Sequence, residues 1–354
     1  MEYRYFSCGH SHCPLCQGNK RQAWYERVEA GLLKVPYCHI TFTLPHELNG
    51  LCRLHPSIMY GMLFRVAWQT LRELCAEPGG VEGLPGMTAV LHTWGSDLKH
   101  HVHLHCLVTF GGLDQSNGRW QWPKSKLKLL RYRPIRNRFR ANFLGALKRW
   151  MKVAGPDIYH QSYEVLTAGL ITKTWVVNQQ PPTMDATVIN AYLSRYICRI
   201  GISDKRLKYD PITQQVSLEY NDYRKQQSDQ PPPTAMLSLP PLLAMDKILQ
   251  HLLPPHFHRT RHYGLHAPNT RKRLAGQLQA YVKSAPSTVL VVLRLLKAML
   301  QLSTQYACQQ CGSIAVPTIT SLPPDHDFKY RFLQLAQRAP PAANNPNALH
   351  QQAG

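Results

Sequence analysis

From Cys38 to Leu44 apolar and polar side chains alternate strictly, with Ile40, Phe42 and Leu44 on one side and His39, Thr41 and Thr43 on the other. That period of two predicts a half-buried strand. Residues 57–76 carry apolar side chains at helical spacing, and the Pro/Gly-rich segment at 78–86 ends that helix. Two further strand-like runs follow, at 88–94 and 101–110, joined by the turn-like GSDLK and so predicted to form a hairpin. A helix-like stretch precedes the first strand at 20–33, a basic helical region covers 124–152, and a short strand candidate lies at 174–179. In DATVINAYLSRYICRIG, Asp185 can cap a helix and Gly201 can end it. A hairpin is expected at 205–220, turning at Asp210-Pro211.

These elements predict an α+β fold: an antiparallel sheet with packed helices, preceded by a small Cys/His knuckle at 1–20 and followed by a helical C-terminal region. The main domain is expected over 21–225. The polar, proline-rich stretch 226–234 reads as a linker, since it has too little apolar surface to order itself. Residues 235–338 are expected as a basic helical region and 339–354 as a disordered tail.

The chain has 354 residues, 44% hydrophobic and 17% charged, which excludes disorder as the main state. Lys and Arg outnumber Asp and Glu by 41 to 20, a net charge of +21, and a polyanion is the implied partner. The longest apolar run, 288–300, is broken by Arg294 and Lys297 and is too short to span a bilayer. The first ten residues lack the apolar stretch of a signal peptide, so a reducing, cytoplasmic location is expected. The ten cysteines are then better read as thiols or metal ligands than as disulfides.

Candidate chemistry sits on one strand and one helix. Along HVHLHCLVTF, Val102, Leu104, Cys106, Val108 and Phe110 form an apolar row, and His101, His103 and His105 form the opposite row. Side chains two apart on a strand lie within about 7 Å, close enough for imidazoles to reach one divalent ion. An unliganded surface stripe is the alternative. On the predicted helix, Tyr192 and Tyr196 share a face with Arg195 and Arg199, while Ile189, Leu193, Ile197 and Ile200 form a second, docking stripe. Neighbouring guanidinium groups favour phenolate and can hold phosphate, which makes a nucleophile site; plain ring packing is the alternative. Cys8, Cys13 and Cys16, with His10 and His12, form an N-terminal cluster of zinc-ligand type, and Cys308 and Cys311 form a second pair.

A His-hydrophobic-His strand followed by a Tyr-x-x-x-Tyr helix resembles the two-tyrosine HUH single-strand endonucleases. The chain is most similar to their insertion-sequence branch, the rolling-circle transposases of insertion-sequence family ninety-one. The likeness runs in order through SCGHSHCPLCQ, VPYCHITFTLPHELN, HVHLHCLV, AYLSRYICRIGIS, VSLEYNDYR and LPPHFHRTRHYGL. It implies that His103 and His105 bind the catalytic metal, Mg²⁺ or Mn²⁺, and that Tyr192 and Tyr196 are nucleophiles, with Arg195 and Arg199 as supporting phosphate contacts. The third ligand stays open: His101 is favoured by geometry, with Asp97 in the preceding turn as the alternative. The substrate implied is single-stranded DNA at transposon ends and target, cut to leave a 5′-phosphotyrosine and a free 3′-OH.

Two departures from the family pattern are visible. Relatives carry a further Cys/His pair upstream of the first motif, so Cys8, Cys13 and Cys16 are expected to form a partial Zn²⁺ site in an N-terminally truncated chain. Relatives also tend to have proline where Val102 stands. The rival readings are a non-catalytic or decayed zinc-containing DNA-binding protein, and a zinc hydrolase built on three histidines.

Overall fold

The structure is a computed structural model and describes residues 14–154, 166–194, 206–225 and 231–284. Its centre is a five-stranded antiparallel sheet. The strands are β1 (Tyr37–Thr43), β2 (Gly86–Trp94), β3 (His100–Thr109), β6 (Val176–Gln179) and β10 (Thr260–Gly264), arranged in the order β10-β2-β3-β1-β6. β4 (Gly112–Leu113) and β5 (Trp120–Gln121) form a small ribbon. The alternation of β1 and β3 decides which side chains each face receives.

On one face Ile40, Phe42, Leu91, Leu104, Cys106 and Val108 meet helices α3 (Pro56–Ala76) and α4 (Tyr132–Ala154). A short α2 (Asn49–Leu54) precedes α3, whose first turn holds Pro56, where the missing N–H costs nothing. Phe139 of α4 locks this layer, lying 4.9 Å from Phe42 and 5.4 Å from Trp175 between ring centroids. The opposite face buries Tyr37, Val90 and Leu107 against residues of α1 (Pro14–Ala30), α5 (Ala186–Ser194) and α8 (Ala275–Ser284), with Val28, Ile189, Leu193 and Leu278 in the contact. A short α7 (Pro268–Arg273) leads into α8. The central strand β3 is thus covered on both faces.

The hairpin expected at 205–220 is present as β7 (Leu207–Asp210) and β8 (Gln215–Asn221). Its turn is held by Asp210, whose carboxylate accepts from the Ile212 N–H at 2.9 Å and the Thr213 hydroxyl at 2.7 Å. β9 (Thr234–Leu239) extends this ribbon, and α6 (Pro241–Leu249) follows. Leu218, Leu207, Leu237 and Ile248 pack on Trp94 and Leu98 at the tip of the β2–β3 hairpin.

Two expectations change. The basic region is helical only from Tyr132, because Pro123 and Ser125 direct 122–131 into a loop, where the Ser125 hydroxyl accepts from the N–H groups of Leu127 and Lys128. The stretch from 235 is not helical throughout and is not set apart from the sheet: β9 pairs with β8, and β10 pairs with β2 from Thr260↔Val90 to Gly264↔Gly86. The reason is tertiary. Residues 234–239 (TAMLSL) include good helix formers and 260–264 (TRHYG) have no period of their own, so it is pairing with β8 and β2 that makes them strands. Residues 285–354, with Cys308, Cys311 and the expected tail, lie outside the described residues, as does most of the linker. No helix among the described residues is long and apolar enough to cross a membrane.

Several histidines are held neutral inside this fold. Burial, followed by the nearby charge of His262, pushes His266 down to about 3, and burial, followed by His251, pushes His100 down to about 4. Both lie below the ordinary value of 6.5. The unfolded chain therefore takes up protons between about pH 6.5 and 4 that the folded chain refuses, so folding stability is full above 6.5 and falls as the pH drops. The slope is about 1.4 kcal/mol per pH unit for each such histidine. Melting temperatures should stay level from pH 7.5 to about 6.5 and then decline down to pH 5, and His266→Gln should make that decline shallower. A flat profile would contradict the neutral burial of these rings.

Candidate metal centre

β3 presents His103 and His105 on the face opposite its apolar row, where the rings lie 4.7 Å apart between centroids. Directly across the hairpin, β2 places His92 opposite His103 in register. The His92 ring is 5.1 Å from His103 and 4.3 Å from His105. One ligating nitrogen or its equivalent from each of His92, His103 and His105 lies within 4.8 Å of the others. Cross-strand neighbours sit about 5 Å apart, closer than residues two apart on one strand, so the third converging ring comes from the adjacent strand.

His101 was the expected third member. It stands exposed at the end of the row, with its ring 4.8 Å from His103, and lies outside the converging triad. Asp97 is engaged elsewhere: its carboxylate pairs with Lys99 Nζ at 3.1 Å and accepts from the Lys99 N–H at 3.2 Å. His92 escaped the sequence reading, although a signal existed. It is the only histidine in the TAVLHTW partner strand of the predicted hairpin.

Tautomers follow from the hydrogen bonds. A carbonyl oxygen only accepts, so the 2.8 Å contact between His103 Nδ1 and the His101 carbonyl puts the proton on Nδ1 and leaves Nε2 as the ligating atom. His105 Nδ1 is hydrogen-bonded to His39 Nε2 at 2.8 Å and lies 3.3 Å from the Thr41 hydroxyl, which directs its Nε2 toward the other two rings. Burial is the largest cause lowering the pKa values of all three; His103 falls to about 3, and His92 and His105 lie well below their usual value. Mutual repulsion among the imidazoles adds to this. Neutral imidazole is the form that binds metal, and the donor set fits a divalent ion.

Trp94 stacks on His92 at 5.0 Å, and the buried Arg259 guanidinium lies 5.6 Å above the Trp94 ring. Arg259 is also among the charges that depress His92. Neither residue was singled out from the sequence.

Helix α5 packs on this same sheet face. Asp185 caps it by accepting from the Thr187 N–H at 3.0 Å, as expected, and Ile189 and Leu193 bury against Val90 and Leu107. Asn190 ties it to α1 by donating to the Tyr25 carbonyl at 3.1 Å. Tyr192 lies on α5. Tyr196, Arg195 and Arg199 lie outside the described residues, as do Cys8 and Cys13, and Cys16 lies on α1.

Comparison with known proteins gives two family matches. A model described as "Putative transposase" matches residues 86–273, and one described as "Transposase zinc-binding domain" matches residues 1–44. The protein named "Putative transposase y4qJ" from Sinorhizobium fredii is 32% identical over 279 residues, covering 77% of this chain and 68% of the relative. The "Transposase for insertion sequence element IS801" from Pseudomonas savastanoi pv. phaseolicola is 27% identical over 334 residues, covering 90% of this chain and 76% of the relative. No solved structure matches.

Titration of the chain with Mn²⁺ by calorimetry should show tight binding that is lost in His92→Ala and in His103→Ala with His105→Ala. His101→Ala should change affinity by less than about threefold. The opposite ranking of His92 and His101 would move the centre to the end of the strand.

Proposed function

Because the chain belongs to the transposases of insertion-sequence family ninety-one, which join a transposase domain to a zinc-binding domain, we propose that it cuts and rejoins single-stranded DNA through a 5′-phosphotyrosine intermediate in rolling-circle transposition. One observation carries this reading: three neutral, buried imidazoles converge on the sheet face that also receives the helix bearing Tyr192. A bound divalent ion supplies Lewis-acid polarisation of the scissile phosphate. A nitrogen-rich donor set suits Mn²⁺ better than Mg²⁺.

The residues of the chain do the rest. His92, His103 and His105 hold the ion, and His39 and Thr41 keep His105 in the ligating orientation. Tyr192 and Tyr196 are the nucleophiles, and Arg195 and Arg199 hold phosphate oxygens and favour phenolate. In each cut the phenol gives up its proton, a bond forms from the phenolate oxygen to phosphorus, and the bond from phosphorus to the 3′ oxygen breaks. That oxygen takes a proton and leaves as a 3′-OH. Rejoining is the reverse exchange, with a 3′-OH attacking the phosphotyrosine, so no nucleotide triphosphate is consumed. Two hydroxyls from residues four apart in the sequence cannot both stand in line with one phosphorus, so they act in succession. Cys8, Cys13 and Cys16 contribute Zn²⁺ ligands in the N-terminal domain, which serves folding or DNA recognition rather than bond breaking.

The test is a denaturing gel of labelled single-stranded oligonucleotide carrying the element's own terminus, incubated with the protein and Mn²⁺. Tyr192→Phe and Tyr196→Phe should each keep some covalent adduct while losing complete strand transfer. The double variant should form none. Adduct formation that persists in EDTA, or transposition that survives Tyr196→Phe, would refute the scheme.

A further inference from the structure

The loop between β5 and α4 is built in an unusual way. Its residues Leu129 and Leu130 are buried in the core and Leu127 is half-buried, while Trp122 at 45% exposure and Tyr132, the first residue of α4, at 47% are half out in water. Tryptophan and tyrosine each combine a large apolar ring with a polar tip, so two of them half exposed offer ring surface that a flat partner can cover. Between them Lys124, Lys126 and Lys128 are exposed, and Arg131 and Arg133 flank Tyr132 and are exposed too. Arg136 lies over the Tyr132 ring at 5.3 Å.

Among the described residues no carboxylate pairs with this segment. The sequence has no acidic residue between Asp114 and Asp157, and among the described residues none of these six cations forms an ion pair. The next two arginines behave differently. Arg138 pairs with Glu73 at 3.3 Å and Glu77 at 2.6 Å, and Arg140 donates to the Lys173 carbonyl at 3.2 Å. Those two tie α4 to its neighbours.

The loop is held in place rather than dangling. Leu130 donates its N–H to Gln179 Oε1 at 3.3 Å, and its carbonyl accepts from Gln179 Nε2 at 3.4 Å. Gln179 ends β6, the strand that pairs with β1 through Thr41↔Asn178, and Thr41 is in turn opposite His105. The anchor is therefore about two strand spacings, roughly 10 Å, from the histidine strand in the hydrogen-bonding direction of the sheet. With Leu129, Leu130 and Val177 it lies on the α3 and α4 face, across the β6 edge from the histidines.

We propose that residues 122–136 form a platform beside the β6 edge of the sheet on which single-stranded DNA lies, with Trp122 and Tyr132 stacking bases and the intervening lysines and arginines contacting phosphates. The identification of the strand as the substrate rests on the function proposed above; the platform itself rests on the loop. Every base offers a π-face, so such stacking tolerates any sequence, and paired bases in a duplex cannot offer theirs. An anchored loop also loses little conformational freedom on binding.

The experiment measures binding of the full chain to fluorescein-labelled dT20, and to a duplex of equal length, in EDTA. Neither probe carries an element terminus, so no cleavage step contributes. Trp122→Ala with Tyr132→Ala should weaken dT20 binding about tenfold or more and duplex binding less than threefold, while the corresponding double Phe variant should stay within about threefold of the unsubstituted chain. Lys124→Gln, Lys126→Gln and Lys128→Gln together should lower the salt dependence of log K by up to about 2. Addition of dT20 should quench the emission that distinguishes the unsubstituted chain from Trp122→Phe, a readout independent of any folding defect in the alanine variant. Unchanged dT20 affinity in the double alanine variant, equal loss for single strand and duplex, or absence of that quenching would each overturn the platform. Loss of all tyrosine adduct chemistry with dT20 quenching intact would instead count against the strand-transfer scheme and leave the platform standing.

Discussion

The double coverage of β3 is the constraint on which the rest depends. A central strand buried on both faces has no freedom of register, because a slip by one residue would send Val102, Leu104, Cys106 and Val108 to the opposite side. The same pairing fixes where His103 and His105 stand relative to β1 and β2. Having no water to solvate charge, these rings are held neutral, and neutrality is what a metal ligand requires. Packing on one face thus sets both the position and the protonation of the chemistry on the other.

The two faces divide the work. The α3 and α4 side is apolar and tied by Arg138 to Glu73 and Glu77, with aromatic rings locked around Phe139. The other side combines apolar contacts from α1, α5 and α8 with a polar row, His39, Thr41, His92, His103 and His105. Asn190 and Asp185 hold α5, the helix that includes Tyr192, in place there.

Much of this was legible in the sequence. Strict alternation gave β1, β2 and β3 to within about two residues, and the spacing of α3 and the Asp185 cap marked two helices. His103 and His105 were visible because period two puts them on one face. His92 was not, since its partnership depends on hairpin register, which a bulge between His92 and Trp94 shifts. His39 needed the β1–β3 pairing, a contact between residues 66 apart in the chain. The edge strand β10 was hidden for a similar reason: five half-buried residues have no periodicity of their own to report, and only their partner β2 makes them a strand. Arg138, paired with Glu73 and Glu77, and Arg140, bonded to the Lys173 carbonyl, look identical in sequence to the arginines before them, and only the fold separates the two kinds.

The sheet order has a consequence for how the chain is made. β10 lies beside β2, yet about 170 residues separate Val90 from its partner Thr260. At typical rates of synthesis that interval lasts roughly ten to thirty seconds. Throughout it, the outer edge of β2 lacks its final neighbour, and an open edge is a template for pairing with other chains. Tyr192 is translated well before that edge is closed, whereas His92, on the strand beside it, reaches its settled surroundings only afterwards. A message cut short before codon 260 would yield a polypeptide carrying the strand and helix motifs in full but with an unsealed sheet, fit for clearance by proteases rather than for work on DNA.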